Sequence, residues 1–195
     1  YEASQYVKKQ YPKNKIFIVN RLDRDTSGLV VFAKNEELKT YLQNNWDKVA
    51  LKRKYMAVVE KDVKDKVKTL QYYLQEDKFL NVHVTRKEEG KLAITKFETI
   101  YHKRAYSLLD IEIFTGRKHQ IRVSLKEYGH PIIGDKKYKA KSNPLGRLGL
   151  HAYHLTLKVP YQKDPLVIEC KVPKEFVKMF ESEEKNGKIT ESHRQ

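Results

Sequence analysis

A chain of 195 residues, 39% of them hydrophobic, buries one sizeable core but is too short for two independent domains. Its single cysteine, Cys170, excludes an internal disulfide framework and a multi-cysteine zinc site, and no apolar run approaches the roughly 18 to 20 residues that cross a bilayer, so a cytoplasmic protein with no membrane association is expected. Forty Lys and Arg against 25 Asp and Glu leave a formal charge of +15, whose economical reading is a polyanionic partner and whose bland one is a lysine-rich solubilising surface.

In chain order, Tyr1 to Gln5 have no signal-peptide character and no initiator Met precedes them, so the chain is expected to be a fragment truncated at its N-terminus. Apolar runs rich in β-branched residues predict strands over 15–19 and 29–33. Asn35, ahead of Glu36 and Glu37, predicts the N-cap of a short helix running to about Asn44. Further strands are predicted over 55–59, 93–100 and 107–114. After Thr115 and Gly116 a second helix is expected, with Ile121, Leu125 and Tyr128 at i, i+4 and i+7 forming its buried face and Gly129 ending it. Strands over 151–159 and 166–172 and a helix opened by Pro173 complete the pattern, while the polar stretch 183–195 is expected to be disordered. The expectation is an α+β domain over 1–182, a mixed and mainly antiparallel β-sheet flanked by helices.

The loop Asn20-Arg21-Leu22-Asp23-Arg24-Asp25-Thr26-Ser27-Gly28 stands between two predicted strands, where catalytic groups tend to sit. Taken alone, its two carboxylates and two guanidiniums within residues 21–25 describe a solvated salt-bridge cluster as well as a catalytic loop. His151 and His154 are three residues apart in a predicted strand, so they point to opposite faces and no shared metal is expected.

The order Arg21-Leu22-Asp23-x-x-Thr26-Ser27-Gly28-Leu29 is similar to the first motif of the RluA-type pseudouridine synthases. Lys54-Tyr55-Met56-Ala57-Val58, with Lys52 before it, resembles a second family region; Thr115 to Arg122 a third; Gly134-Asp135-Lys136-Lys137-Tyr138 a fourth; and Leu150-His151-Ala152 the last. Two positions depart from the pattern: Asn20 stands where many members have His, and Glu60 where many have Gly.

The resemblance implies isomerisation of uridine to pseudouridine in RNA without a cofactor or metal. The bond from C1′ to N1 breaks, the uracil turns while held, and C5 joins C1′. It makes Asp23 the nucleophile, or the group that stabilises cationic character at C1′ while C2′ loses a proton. Desolvation disfavours a buried carboxylate, so a fixed guanidinium is required beside it, and the resemblance assigns that role to Arg117. A phosphate contact at a helix N-terminus is the other reading of Arg117. Tyr55 is implied as the base-stacking and proton-handling residue, against an ordinary half-buried sheet aromatic. Leu150 and Ile121 are candidates for the opposite wall, and Arg21 for the side chain that enters the RNA when the nucleotide is extruded. The basic run Lys118, Arg122, Lys136, Lys137, Lys139, Lys141 and Arg147 is the expected backbone-binding surface. Ribosomal RNA is the first expected partner and transfer RNA the second, with a monomeric protein. The rivals are a catalytically inactive RNA-binding domain of the same fold, and a metal-dependent phosphoesterase built on Asp23, Asp25 and His119.

Overall fold

The computed structural model describes residues 15–160 and 162–181, together with Gln5, Val7 and Lys9. The strands are β1 (Phe17–Ile18), β2 (Ser27–Gly28), β3 (Phe32–Ala33), β4 (Ala50–Glu60), β5 (Val67–Glu76), β6 (Val82–Thr85), β7 (Lys91–His102), β8 (Tyr106–Ile113), β9 (Leu150–Leu157) and β10 (Leu166–Glu169). The helices are α1 (Glu36–Asn44), α2 (Trp46–Val49), α3 (Gln120–Glu127) and α4 (Lys174–Glu181). The main sheet runs β10-β9-β4-β8-β7-β5-β6, antiparallel at every step. β2 adds a parallel pairing to β9, which makes the sheet mixed, while β1 and β3 pair in a separate ribbon. The fold is α+β.

β4 explains the layering. Side chains alternate along a strand, so Ala57 and Val59 face one way and Val58 the other. On the first side they pack with Phe97, Leu109, Ile111 and the α3 residues Ile121 and Leu125. On the second, Val58 meets Leu108, Ile133 and the α4 residues Phe176 and Phe180. An eight-residue helix is too short to persist alone in water, so α4 depends on burial of these two rings, each worth about 1.5 to 3 kcal/mol. A further cluster joins Val19, Ala33, Leu42, Val49, Leu155 and Leu157, and fastens α1 and the small ribbon to one end of the sheet.

Several elements fall where the sequence places them. Asn35 caps α1, its Oδ1 accepting from Leu38 N at 2.7 Å. The end of α3 is closed by Gly129 N–H donating to the Lys126 carbonyl at 3.0 Å and His130 N–H to that of Leu125 at 2.9 Å. Others differ. The apolar run 29–33 is not a continuous strand, because Leu29 N–H bonds to the Ala152 carbonyl and Val31 N–H to Asn20 Oδ1, leaving only Phe32–Ala33 to pair with β1. β5, β6 and the four-residue α2 have no counterpart among the predicted elements. The stretch 183–195, expected to be disordered, lies outside the described residues.

Candidate active site

The loop carrying Asp23 is fixed at both ends. At its start, Asn20 Oδ1 accepts from Val31 N–H at 2.7 Å, so the residue that departs from the motif still has a structural task. At its end, Ser27 and Gly28 pair with His151 and Ala152 of β9. Gly28 has φ +122°, and a Cβ there would stand 2.1 Å from the Ala152 carbonyl oxygen, so only glycine allows this approach. Between these anchors Thr26 N–H donates to the Asp23 carbonyl at 3.0 Å and turns the loop over a cavity of about 250 Å³.

Asp23 is half-buried at the cavity wall, its side chain 26% exposed. Arg122 Nη1 stands 3.5 Å from its Oδ2. The same guanidinium is clamped from behind by Asp135, which accepts from Nε at 2.7 Å and from Nη2 at 2.8 Å. Asp135 is 1% exposed and also receives Tyr138 N–H. Burial acts to lower the Arg122 pKa, but the hydrogen bonds and charge of Asp135, with Asp23 and Tyr138, together outweigh it and the net direction is upward. A guanidinium held this way is a permanent cation aimed at Asp23.

His119 stands on the other side of the carboxylate, with Nε2 4.0 Å from Asp23 Oδ1. Burial lowers its pKa, Asp23 opposes that, and Arg122, Lys137 and Lys118 reinforce it, so the ring is neutral at neutral pH. Its Nδ1 lies 2.7 Å from the Tyr138 hydroxyl, which burial pushes up to about 12 and so keeps protonated. In the tautomer where Tyr138 donates to Nδ1, Nε2 carries the ring proton and turns it towards Asp23.

The remaining sequence-derived residues divide. Tyr55 on β4 and Leu150 at the start of β9 line the same cavity, and burial raises the Tyr55 pKa above its ordinary value. Arg21 is exposed at the rim and, among the described residues, forms no ion pair with Asp25. Arg117 lines the cavity, but its Nε donates to the Leu92 carbonyl at 3.0 Å and, among the described residues, it makes no ion pair with Asp23. The guanidinium beside the carboxylate is that of Arg122, which the sequence placed on a phosphate-binding surface and the fold buries. Lys118 pairs with Glu76. Arg147 donates to Ser27 Oγ and stands 4.0 Å from Glu175. His151 and His154 go to different partners, Ser27 and Glu169. Asp25 is exposed, and among the described residues no three His, Cys, Asp or Glu side chains gather as metal ligands would.

Asp135 and Arg53 were not among the sequence-derived site residues, and His119 entered only with Asp23 and Asp25 in the phosphoesterase rival; His119 and Arg53 line the cavity and Asp135 supports it from behind Arg122. A signal existed for Asp135: it sits in a quoted motif, and an acidic residue next to apolar Ile132 and Ile133 needs a buried partner. Glu60, the other departure, is buried and accepts from Lys141 N at 2.7 Å, Ser142 N at 2.6 Å and Ser142 Oγ at 2.7 Å. It therefore ties down the loop that carries Asp135.

A family model described as RNA pseudouridylate synthase matches residues 2–127. The Bacillus subtilis protein named uncharacterized RNA pseudouridine synthase YhcT is 37% identical over 164 residues, covering 82% of this chain and 53% of that protein. The ribosomal large subunit pseudouridine synthase D of Borreliella burgdorferi is 32% identical over 163 residues, covering 82% of this chain and 50% of that one. The fold is shared with human RNA pseudouridylate synthase domain containing 1, at a TM-score of 0.76 and 19% identity over 88% of this chain and 74% of that one. The chain belongs to the RNA pseudouridylate synthase family, and it spans about half the length of the curated relatives it matches.

Proposed function

We propose that the protein converts uridine to pseudouridine in structured RNA, with Asp23 acting at C1′. The observation that carries this reading is the Asp23 carboxylate held at the wall of a nucleoside-sized cavity, 3.5 Å from a guanidinium that Asp135 prevents from turning away. The Arg122 guanidinium fixes a positive charge beside Asp23, whose carboxylate attacks C1′ or stabilises positive charge there. Tyr55 supplies the aromatic face on which detached uracil stays bound while free to turn, and Leu150 the apolar wall. Because burial holds the Tyr55 proton firmly, its hydroxyl suits a relay that gives up one proton as it takes another, not a free phenolate base. His119 Nε2 lies near enough to Asp23 to sense its charge as it is consumed or regenerated.

The substrate is ribosomal RNA in this reading, supported by relatives named for the large ribosomal subunit, and Arg21 at the rim enters the space left by the extruded nucleotide. The test is mass spectrometry of structured RNA after pseudouridine-specific derivatisation, comparing the parent with Asp23→Asn. The variant keeps the shape and most hydrogen bonds of the side chain, so RNA binding is expected to persist and product to vanish. Product formation near the parent rate in the variant would remove Asp23 from the chemistry. No product from either would leave an inert RNA-binding domain.

A further inference from the structure

Arg53 lies on β4 two residues before Tyr55, so both side chains leave the same face of the strand, and both line the cavity that holds Asp23. Arg53 is 8% exposed, and its Nε is shut off from solvent and has no hydrogen-bond partner among the described residues. Asp47 stands 3.9 Å from Nη1, but its carboxylate is 76% exposed and the pair is loosely held. Arg117, of the same sign, lines the same cavity. Burial pulls the Arg53 pKa below its ordinary value; Tyr55 and Asp47 act against this, and the like charge of Arg117 adds to it. Gly116 lies against the guanidinium, and a Cβ there would stand 3.0 Å from Arg53 Nη1.

A buried guanidinium with an unfilled donor next to a second cation is unfavourable for folding. Both cations border the cavity in which the substrate is placed, so an anion arriving with the substrate would relieve them. We propose that Arg53, with Arg117 across Gly116, binds a phosphate of the nucleotide whose base rests on Tyr55. Two residues of strand separate Arg53 from Tyr55 by roughly 7 Å, a span comparable to that from a nucleobase to the phosphate of its own nucleotide. The planar fork of a guanidinium matches phosphate oxygens in pairs. This site rests on the uridine-binding reading of the cavity and adds to it a handle on the backbone of the same nucleotide. Tyr55 then holds the base, Arg53 the phosphate, and the C1′ bond lies between them.

The experiment is calorimetric titration of the intact chain with uridine, uridine 5′-monophosphate, uridine 3′-monophosphate and inorganic phosphate, for the parent and for Arg53→Met. The parent is expected to bind one monophosphate about 10- to 150-fold more tightly than uridine, and the two isomers tell which phosphate is held. Arg53→Met should erase this preference and leave uridine affinity as it was. Removal of a buried, poorly paired charge should also raise the Tm by about 2 to 10 °C. The proposal is overturned if the parent shows no preference for either monophosphate, or if the variant keeps it. It is also overturned if inorganic phosphate binds as tightly as the mononucleotides, or if the variant loses uridine affinity together with thermal stability. None of these readouts needs turnover, so failure of the parent to form pseudouridine would end the proposed activity without deciding the phosphate site.

Discussion

Arg122 serves two carboxylates at once, and this division decides what a substitution does. Nε and Nη2 are committed to Asp135, which leaves Nη1 for Asp23. A lysine ammonium carries the charge but has no fork with which to hold one carboxylate and face another. Arg122→Lys is therefore expected to lower the single-turnover rate of pseudouridine formation by about 10²- to 10³-fold. RNA affinity should hold, because the side chain is only 6% exposed and lines the cavity beside Asp23, away from the outer surface where phosphates bind. A loss of affinity with an unchanged rate at saturating RNA would return Arg122 to the phosphate-binding role that the sequence suggested. At this scale Asp23 and Tyr55 were legible because each sits in a short motif and both reach one cavity. The guanidinium partner was not legible. Arg117 and Arg122 are five residues apart in one motif, and only the turn into α3 decides that one meets the Leu92 carbonyl while the other turns towards Asp23.

The position of the Asp23 loop depends on β2, an element of two residues. Gly28 lets it dock against β9, and the register Ser27↔His151 and Gly28↔Ala152 sets where the loop ends. Gly28→Ala would drive a Cβ into the Ala152 carbonyl at 2.1 Å and force alanine to φ +122°. The expected cost is about 3 kcal/mol or more, read by urea denaturation. Activity should be lost even at temperatures where the variant is folded. A loss under 1 kcal/mol, on the order of an ordinary surface change, would mean that the loop is held from elsewhere. Neither β2 nor its parallel pairing was legible, because a two-residue strand has no periodicity to detect. β5 did leave a trace: Leu70, Tyr72 and Leu74 alternate with Gln71 and Tyr73. Leu70 and Leu74 are also four apart, which fits a helix equally well, and only pairing with β7 decides between them. Asn35 was readable because capping is local chemistry that needs no distant partner, and Pro173 because a proline commonly stands where a helix begins.

Across the whole molecule, the cavity draws on four segments far apart in sequence: the Asp23 loop, β4, the turn into α3 and the start of β9. The sheet brings them together in a chain whose formal charge is +15. That charge is not uniformly available to RNA. Of the basic residues from Lys118 to Arg147 that the sequence offered as a backbone-binding surface, Arg122 is buried, Lys118 is paired with Glu76, and Arg147 is engaged by Ser27 and Glu175. Lys136, Lys137, Lys139 and Lys141 are exposed on the loop that Glu60 and Asp135 hold against the cavity. Each lysine that meets a phosphate releases about one condensed counterion, so four such contacts give a log–log slope of affinity against salt of about −3 to −4. Replacing Lys139 and Lys141 together by Gln should bring the slope to about −2 while leaving the single-turnover rate at saturating RNA close to that of the parent, since neither side chain lines the cavity. Fluorescence anisotropy with a labelled RNA stem-loop over a potassium chloride series measures the slope, and rapid-quench assays measure the rate. An unchanged slope in the double variant would place the electrostatic contact on another face of the protein. A fall in the saturating rate without a change in slope would mean that the loop acts on the site through Asp135 and not on the RNA backbone.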